Sequence, residues 1–143
     1  MKTNRILLID DNPGDARLAQ EVLKESELRS KLVVDIISDS EDAELFILQK
    51  PPFLDTPKPD LIILDLNLPK KSGLEILKLI KSTDYTKKIP VIIMTTSDAD
   101  FDLQNAYLNH ANAYIVKPPD FDSLIRTMTC ISNFWFETVL LPK

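Results

Sequence analysis

At 143 residues the chain is long enough for one domain with a sizeable core, and 44% apolar with 27% charged residues is an ordinary globular composition. Its 22 acidic against 17 basic residues, a formal charge of -5, argue against a broad basic nucleic-acid face and permit a cation pocket. One cysteine, Cys130, and one histidine, His110, exclude an intrachain disulfide, a paired-cysteine metal site and a histidine-rich zinc site.

Arg5-Ile6-Leu7-Leu8-Ile9 reads as an apolar strand that ends in two acids, Asp10 and Asp11. The run is too short for a signal peptide, and none approaches a membrane span, so a cytoplasmic chain is expected. Asn12-Pro13-Gly14-Asp15 is a turn and helix start, with Asp15 as a capping or first-turn acid and no chemistry assigned to it. A helix follows over 16–27, with Leu18, Val22 and Leu23 near one face. Residues 32–37 form a second β-rich run. Ser38-Asp39-Ser40 can cap a helix over 41–49, with Ala43, Phe46 and Ile47 inward. Four prolines within 51–59 rule out regular structure there and predict a long surface loop.

Leu61-Ile62-Ile63-Leu64 has no polar interruption, which fits a strand buried on both faces. It delivers Asp65 into a loop containing Pro69 and Gly73. In open parallel sheets the ligand site lies beyond the carboxyl ends of the strands, so an acid there is placed for function; a capping or turn aspartate is the alternative. Leu74, Ile76, Leu77 and Ile80 make the next helix face, with Lys78 and Lys81 pointing away. A fourth run, Val91-Ile92-Ile93-Met94, ends in Thr95-Thr96-Ser97, and Asp98 or Asp100 can cap a short helix to about 109. The fifth strand, Ala113-Tyr114-Ile115-Val116, ends in Lys117-Pro118-Pro119, and a last helix is expected from 120 toward 137.

Five strands alternating with helices predict an α/β fold with parallel pairing. The two glycines, Gly14 and Gly73, belong to no GxGxxG or Walker loop, which disfavours dinucleotide binding and P-loop hydrolysis. In a doubly wound sheet the strand ends Asp10-Asp11, Asp65, Thr95-Thr96 and Lys117 converge on one edge. Clustered acids raise one another's pKa unless a cation neutralises them, and magnesium favours a few carboxylates, a carbonyl and waters. The set suits a carboxylate that attacks phosphorus, with lysine and hydroxyl holding the remaining oxygens. Taken singly, Asp10 or Asp11 could cap a helix, Thr95 could be a β-branched strand residue and Lys117 a solvated lysine.

These segments, together with Tyr114-Ile115-Val116-Lys117-Pro118, resemble the response-regulator receiver domains of two-component signalling, along essentially the whole chain. The resemblance implies a flavodoxin-like (βα)5 fold with strand order 2-1-3-4-5, and a signalling rather than metabolic role. It implies that Asp65 accepts a phosphoryl group from a histidine kinase. Asp10, Asp11, Asp65 and the backbone carbonyl of Asn67 would hold Mg2+, Asp10 through water or more weakly. Lys117 would pair with the phosphoryl group, Thr95 would move to bond it, and Tyr114 would turn inward. Thr96 stands where a small residue is usual and narrows access, while Asn67 and Ser97 match positions that tune the lifetime of the phosphorylated state. The Lys117-Pro118 bond is cis in the family. His110 stands where relatives often carry glycine and is read as a helix-end residue, not a ligand or phosphodonor.

Nothing resembling an output domain follows, so 1–143 is expected to be a single receiver domain with 133–143 as a C-terminal extension. Phe121, Leu124, Ile125, Met128, Ile131 and Trp135 lie near one face of the last helix, expected to be mostly core, and further apolar residues follow it. The Asn12–Asp15 turn, the proline-rich loop and Asn133-Phe134-Trp135 resemble the stand-alone regulators of phytochrome-type histidine kinases. That implies a homodimer through the fourth-helix, fifth-strand and fifth-helix face, with Phe134, Trp135 and Phe136 in the interface; a tail folded onto its own domain is the alternative. A magnesium-dependent phosphohydrolase would need a second acid after the nucleophile, where Leu66-Asn67 stands, and a substrate cap. A receiver-like binding module would not require the intact acids, threonine and lysine.

Overall fold

The computed structural model describes residues 2–26 and 31–142. The apolar runs form five parallel strands: β1 Thr3–Ile9, β2 Lys31–Ile37, β3 Leu61–Leu64, β4 Val91–Thr95 and β5 Ala113–Val116. Their order is β2-β1-β3-β4-β5, the flavodoxin-like arrangement. Between and after them lie α1 Pro13–Lys24, α2 Ser40–Ile47, α3 Gly73–Ser82, α4 Asp100–Leu108 and α5 Phe121–Asn133.

Alternation along each strand splits the core in two. Leu7, Ile9, Ile62, Leu64, Val91 and Ile93 point to one side, where Phe46 of α2, Leu77 and Ile80 of α3 and Ala106 of α4 cover them. Ile6, Leu8, Leu61, Ile63, Ile92 and Met94 point to the other, against Ala19 and Leu23 of α1 and Met128 and Ile131 of α5. Both faces of β3 and β4 are therefore dry, which is why these strands carry no polar residue before Thr95 at the end of β4. Of the expected α1 face, Leu23 is buried, but Leu18 and Val22 are only half-buried, and Ala16 and Ala19 are buried in addition. Small residues let that helix lie close to the sheet. The helix also ends earlier than expected, at Lys24 with Glu25 as its C-cap, while residue 27 itself lies outside the described residues.

Side chains cap four of the five helices: Asn12, Asp39, Ser72 and Asp120 each accept the backbone N–H three residues on. At α4 neither Asp98 nor Asp100 does so; Ala99 holds the cap position. There Ser97 Oγ accepts from the Ala99 N–H at 3.3 Å and donates to Asp102 Oδ2 at 2.5 Å, so Ser97 organises this turn instead. The other end of α4 closes with His110 at φ 72, its N–H bonded to Tyr107 O, and Ala111 N–H bonded to Ala106 O. This is the left-handed stop that glycine usually supplies, taken here by histidine.

The proline-rich segment is a loop, as expected, and is clamped to the body. Phe53 meets Phe46 edge-on at 6.0 Å, Tyr85 donates its hydroxyl to Thr56 O, and Lys58 lies 4.7 Å over the Tyr85 ring. Lys81 does not point away: its ammonium donates to Ile89 O and Asn112 Oδ1.

Helix α5 runs on into a π-helical turn, Phe134–Thr138. Trp135 and Phe136 of that turn pack against the α1/α5-side core, so this part of the tail folds onto its own domain. Phe134 stays about half exposed, edge-on to Trp135, and Leu140 is 96% exposed. Within α5, Phe121 and Ile125 are exposed rather than core, because α1 covers only the Met128 and Ile131 side. Among the described residues no helix is long and apolar enough to cross a membrane.

Candidate functional site

Strand register assembles the predicted residues on one rim. Ile9 lies opposite Leu64, so Asp10 and Asp65 leave neighbouring strands side by side. Thr95 lies opposite Val116, which brings Lys117 beside the end of β4. Backbone bonds carry the order past the strands: Asp65 N–H to Ile9 O, Asp10 N–H to Ile37 O and Lys117 N–H to Thr95 O, at 2.7–3.0 Å. Gly73 closes the loop after Asp65. Its N–H donates to Leu66 O at 2.9 Å, and a Cβ there would stand 2.2 Å from the Asp65 carbonyl oxygen. The glycine is required by this approach, since its φ is not in the left-handed range.

Lys117 is the hub. Its ammonium lies 2.8 Å from Asp65 Oδ2, 3.0 Å from Asp10 Oδ2 and 3.0 Å from Asp15 Oδ2. Asp10 and Asp65 are both buried, and the lysine side chain is only 11% exposed. Burial pushes the Lys117 ammonium pKa down, but hydrogen bonds to Asp65, Asp10 and Asp15 outweigh it and the net value is raised. Lys117 is therefore fully charged at physiological pH. Burial also raises the Asp10 carboxyl, against the Asn12 N–H and Lys117, which favour its charged form.

Asp65 has its other oxygen engaged as well: Oδ1 accepts the Asn67 N–H at 3.0 Å. The Asn67 side-chain amide donates to Thr95 Oγ1 and to Thr96 Oγ1, each at 3.3 Å. Thr95 is fully buried, while Thr96 is exposed at the rim. Tyr114, half-buried, donates its hydroxyl to Ser97 O at 2.9 Å and so holds the β4–α4 loop. Burial raises the Tyr114 pKa, which keeps it a phenol and a donor. A bonded path thus runs from Asp65 through Asn67 and Thr95 to the loop that Tyr114 fastens.

Carboxylate oxygens of Asp10, Asp11 and Asp65 lie within 4.8 Å of one another, with Asp11 on the exposed side. Hard oxygen donors of this kind suit a divalent cation such as Mg2+ or Mn2+. Three carboxylates, Asp10, Asp15 and Asp65, face one ammonium, with Asp11 close to two of them, an excess of negative charge that a cation would relieve.

The rim therefore brings together Asp10, Asp11, Asp65, Asn67, Thr95 and Lys117, with Tyr114 one bond further out; Phe134, Trp135 and Phe136 lie elsewhere, beyond α5. Asp15 joins the rim although the sequence pattern marked it as a helix-start acid only. It is that too, but the first turn of α1 also aims it at a lysine 102 residues away. The Lys117-Pro118 peptide is trans, not cis; among the described residues the one cis peptide is Pro51-Pro52. The intrinsic gap between the isomers is only about 0.5–1 kcal/mol at proline, so local packing decides.

Comparison with known proteins agrees with this geometry. Residues 6–129 match the model of the response regulator receiver domain. Response regulator Rcp1 of Synechocystis sp. is 42% identical over 137 residues, covering 96% of this chain and 92% of that protein. The crystal structure of the phosphorylated cyanobacterial phytochrome response regulator RcpA superposes with a TM-score of 0.91 at 37% identity, covering 99% of this chain and all of that one. The Mn2+-bound form of Rcp1 gives 0.88 at 41% identity, with 98% and 99% covered.

Proposed function

The chain belongs to the response-regulator receiver family of two-component signalling, and within that role we propose that Asp65 is its phosphoacceptor. The observation that carries this is the double grip on Asp65: Lys117 on one oxygen and the Asn67 N–H on the other, in a buried site beside two further acids. An Asp65 oxygen forms a bond to phosphorus as the bond from phosphorus to the imidazole of a histidine kinase breaks. The imidazole leaves with the electron pair and takes a proton, and an acyl phosphate remains. Lys117 holds one phosphoryl oxygen. Thr95 gives up Asn67 to donate its hydroxyl to another, and Tyr114 follows by moving into the space released.

Asp10, Asp11, Asp65 and the Asn67 carbonyl would hold Mg2+, which supplies charge neutralisation for the incoming phosphoryl group. Nothing in this account needs turnover of an outside substrate, so the protein acts as a signalling acceptor whose only reactions are on itself.

The partner we propose is a histidine kinase of phytochrome type, on the strength of the whole-length likeness to Rcp1 and RcpA. Output is by surface change in a single cytoplasmic receiver domain, with 133–143 as its extension. Phe101, Tyr107 and Leu108 of α4, Val116 of β5 and Phe121 and Ile125 of α5 are exposed apolar residues suited to a homodimer. Exposed Phe134, beyond α5, is proposed as an addition to that interface, while Trp135 and Phe136 pack on the α1/α5-side core.

The direct test is labelling with a phosphorylated histidine kinase or acetyl phosphate in Mg2+. Wild type takes up acid-labile phosphate and Asp65→Asn does not; persistent label on the variant refutes the assignment.

A further inference from the structure

Lys117 has three N–H bonds to give, and carboxylates take all of them: Asp65 at 2.8 Å, Asp10 and Asp15 at 3.0 Å. A phosphoryl oxygen that arrives while Asp65 is still a carboxylate can be held by this lysine only if one of the three lets go. During that approach Asp10 and Asp65 stay in the buried rim, where a carboxylate gives up its cation at a cost. The Asp15 side chain is 48% exposed, so water can replace the lysine there.

Two features make that release easy. Asp15 lies in the first turn of α1, where Asn12 Oδ1 accepts its N–H at 3.0 Å, and a negative charge is favoured there whether or not it is paired. A cavity of about 190 Å3, whose lining includes Asp15, Met94, Lys117, Pro118, Asp120 and Phe121, gives the freed carboxylate room to hydrate. Asp15 is not one of the three acids whose oxygens cluster as a cation site, so its work is on the lysine.

Resting on the assignment of Asp65 as phosphoacceptor, we propose that Asp15 is a positioning residue that competes with the phosphoryl group for Lys117 and thereby slows phosphorylation. It parks the ammonium in the resting state, and it is the partner exchanged for phosphoryl oxygen as the phosphoryl group approaches Asp65.

The experiment measures the rate of labelling by acetyl phosphate at saturating Mg2+ for wild type, Asp15→Asn and Asp15→Glu. Asp15→Asn is expected to be labelled roughly three- to fivefold faster, in line with the weak coupling of a half-exposed ion pair. The ratio should shrink toward one as salt is raised, since exposed charges are screened. Asp15→Glu should return the rate toward wild type. If wild type is labelled and Asp15→Asn is no faster, or is faster by a ratio that salt leaves unchanged, the proposal falls. If wild type takes no label at all, the Asp65 assignment itself has failed.

Discussion

Replacing Gly73 by alanine tests whether the loop after β3 is held as tightly as the geometry requires. The added Cβ would sit 2.2 Å from the Asp65 carbonyl oxygen, 2.5 Å from Leu66 Cα and 2.9 Å from the Asp65 carbonyl carbon. All three are backbone atoms, and real Cβ contacts under 3.0 Å are essentially never seen. Either α3 or the Asp65 loop must therefore retreat by nearly 1 Å. The loop is anchored by Asp65 N–H to Ile9 O, and α3 by Gly73 N–H to Leu66 O and by buried Ile76, Leu77 and Ile80. Overpacking of this kind costs about 3 kcal/mol. In a domain of this size each kcal/mol lowers Tm by roughly 2–4 °C, so Tm should fall by roughly 6–12 °C. A displacement of that size at a reacting carboxylate can cost on the order of a hundredfold in rate, so labelling should drop steeply as well. The assays are thermal unfolding by circular dichroism and acetyl phosphate labelling. A Tm within about 2 °C of wild type, with labelling within about twofold, would refute the reasoning.

Other perturbations follow from the same geometry. Lys117→Ala leaves Asp10 and Asp65 without their buried cation; metal-free protein should lose roughly 3 kcal/mol in urea unfolding and regain much of it with Mg2+, and a metal-independent loss would count against the charge argument. Burial holds the Asp10 pKa above its ordinary 3.8, so its contribution to stability is fully present below that value and is lost as pH rises through the folded-state pKa. Metal-free Asp10→Asn should therefore unfold at higher temperature than wild type at pH 7 but not at pH 3, and an equal gain at both would contradict the sign. Tyr114→Phe removes the hydroxyl bond to Ser97 O at a cost of about 1 kcal/mol, seen as faster amide exchange in the β4–α4 loop with labelling of Asp65 retained. Charge introduced at Phe101 and Leu108 together should leave a monomer in sedimentation if the α4–β5–α5 face pairs; an unchanged mass, dimeric or monomeric, removes that face from the account.

Sequence alone determined the parts that rest on local pattern. Unbroken apolar runs such as Leu61-Ile62-Ile63-Leu64 can only be satisfied between two layers, and alternating helices make those strands parallel. Parallel strands put their carboxyl ends on one edge, so Asp10, Asp11, Asp65, Thr95 and Lys117 are legible as one rim in the sequence itself. What only the tertiary structure decided depends on contacts between distant segments, which no periodicity encodes. Asp15 reads as a first-turn acid locally, and packing α1 beside the end of β5 gives it Lys117. Gly73 looks like an ordinary loop glycine until α3 presses on the Asp65 carbonyl. The same holds for the tail, where apolar count could not say whether Trp135 and Phe136 face a partner or their own core. The position of α5 against α1 brings them to the core, and leaves Phe121, Ile125 and Phe134 at the surface.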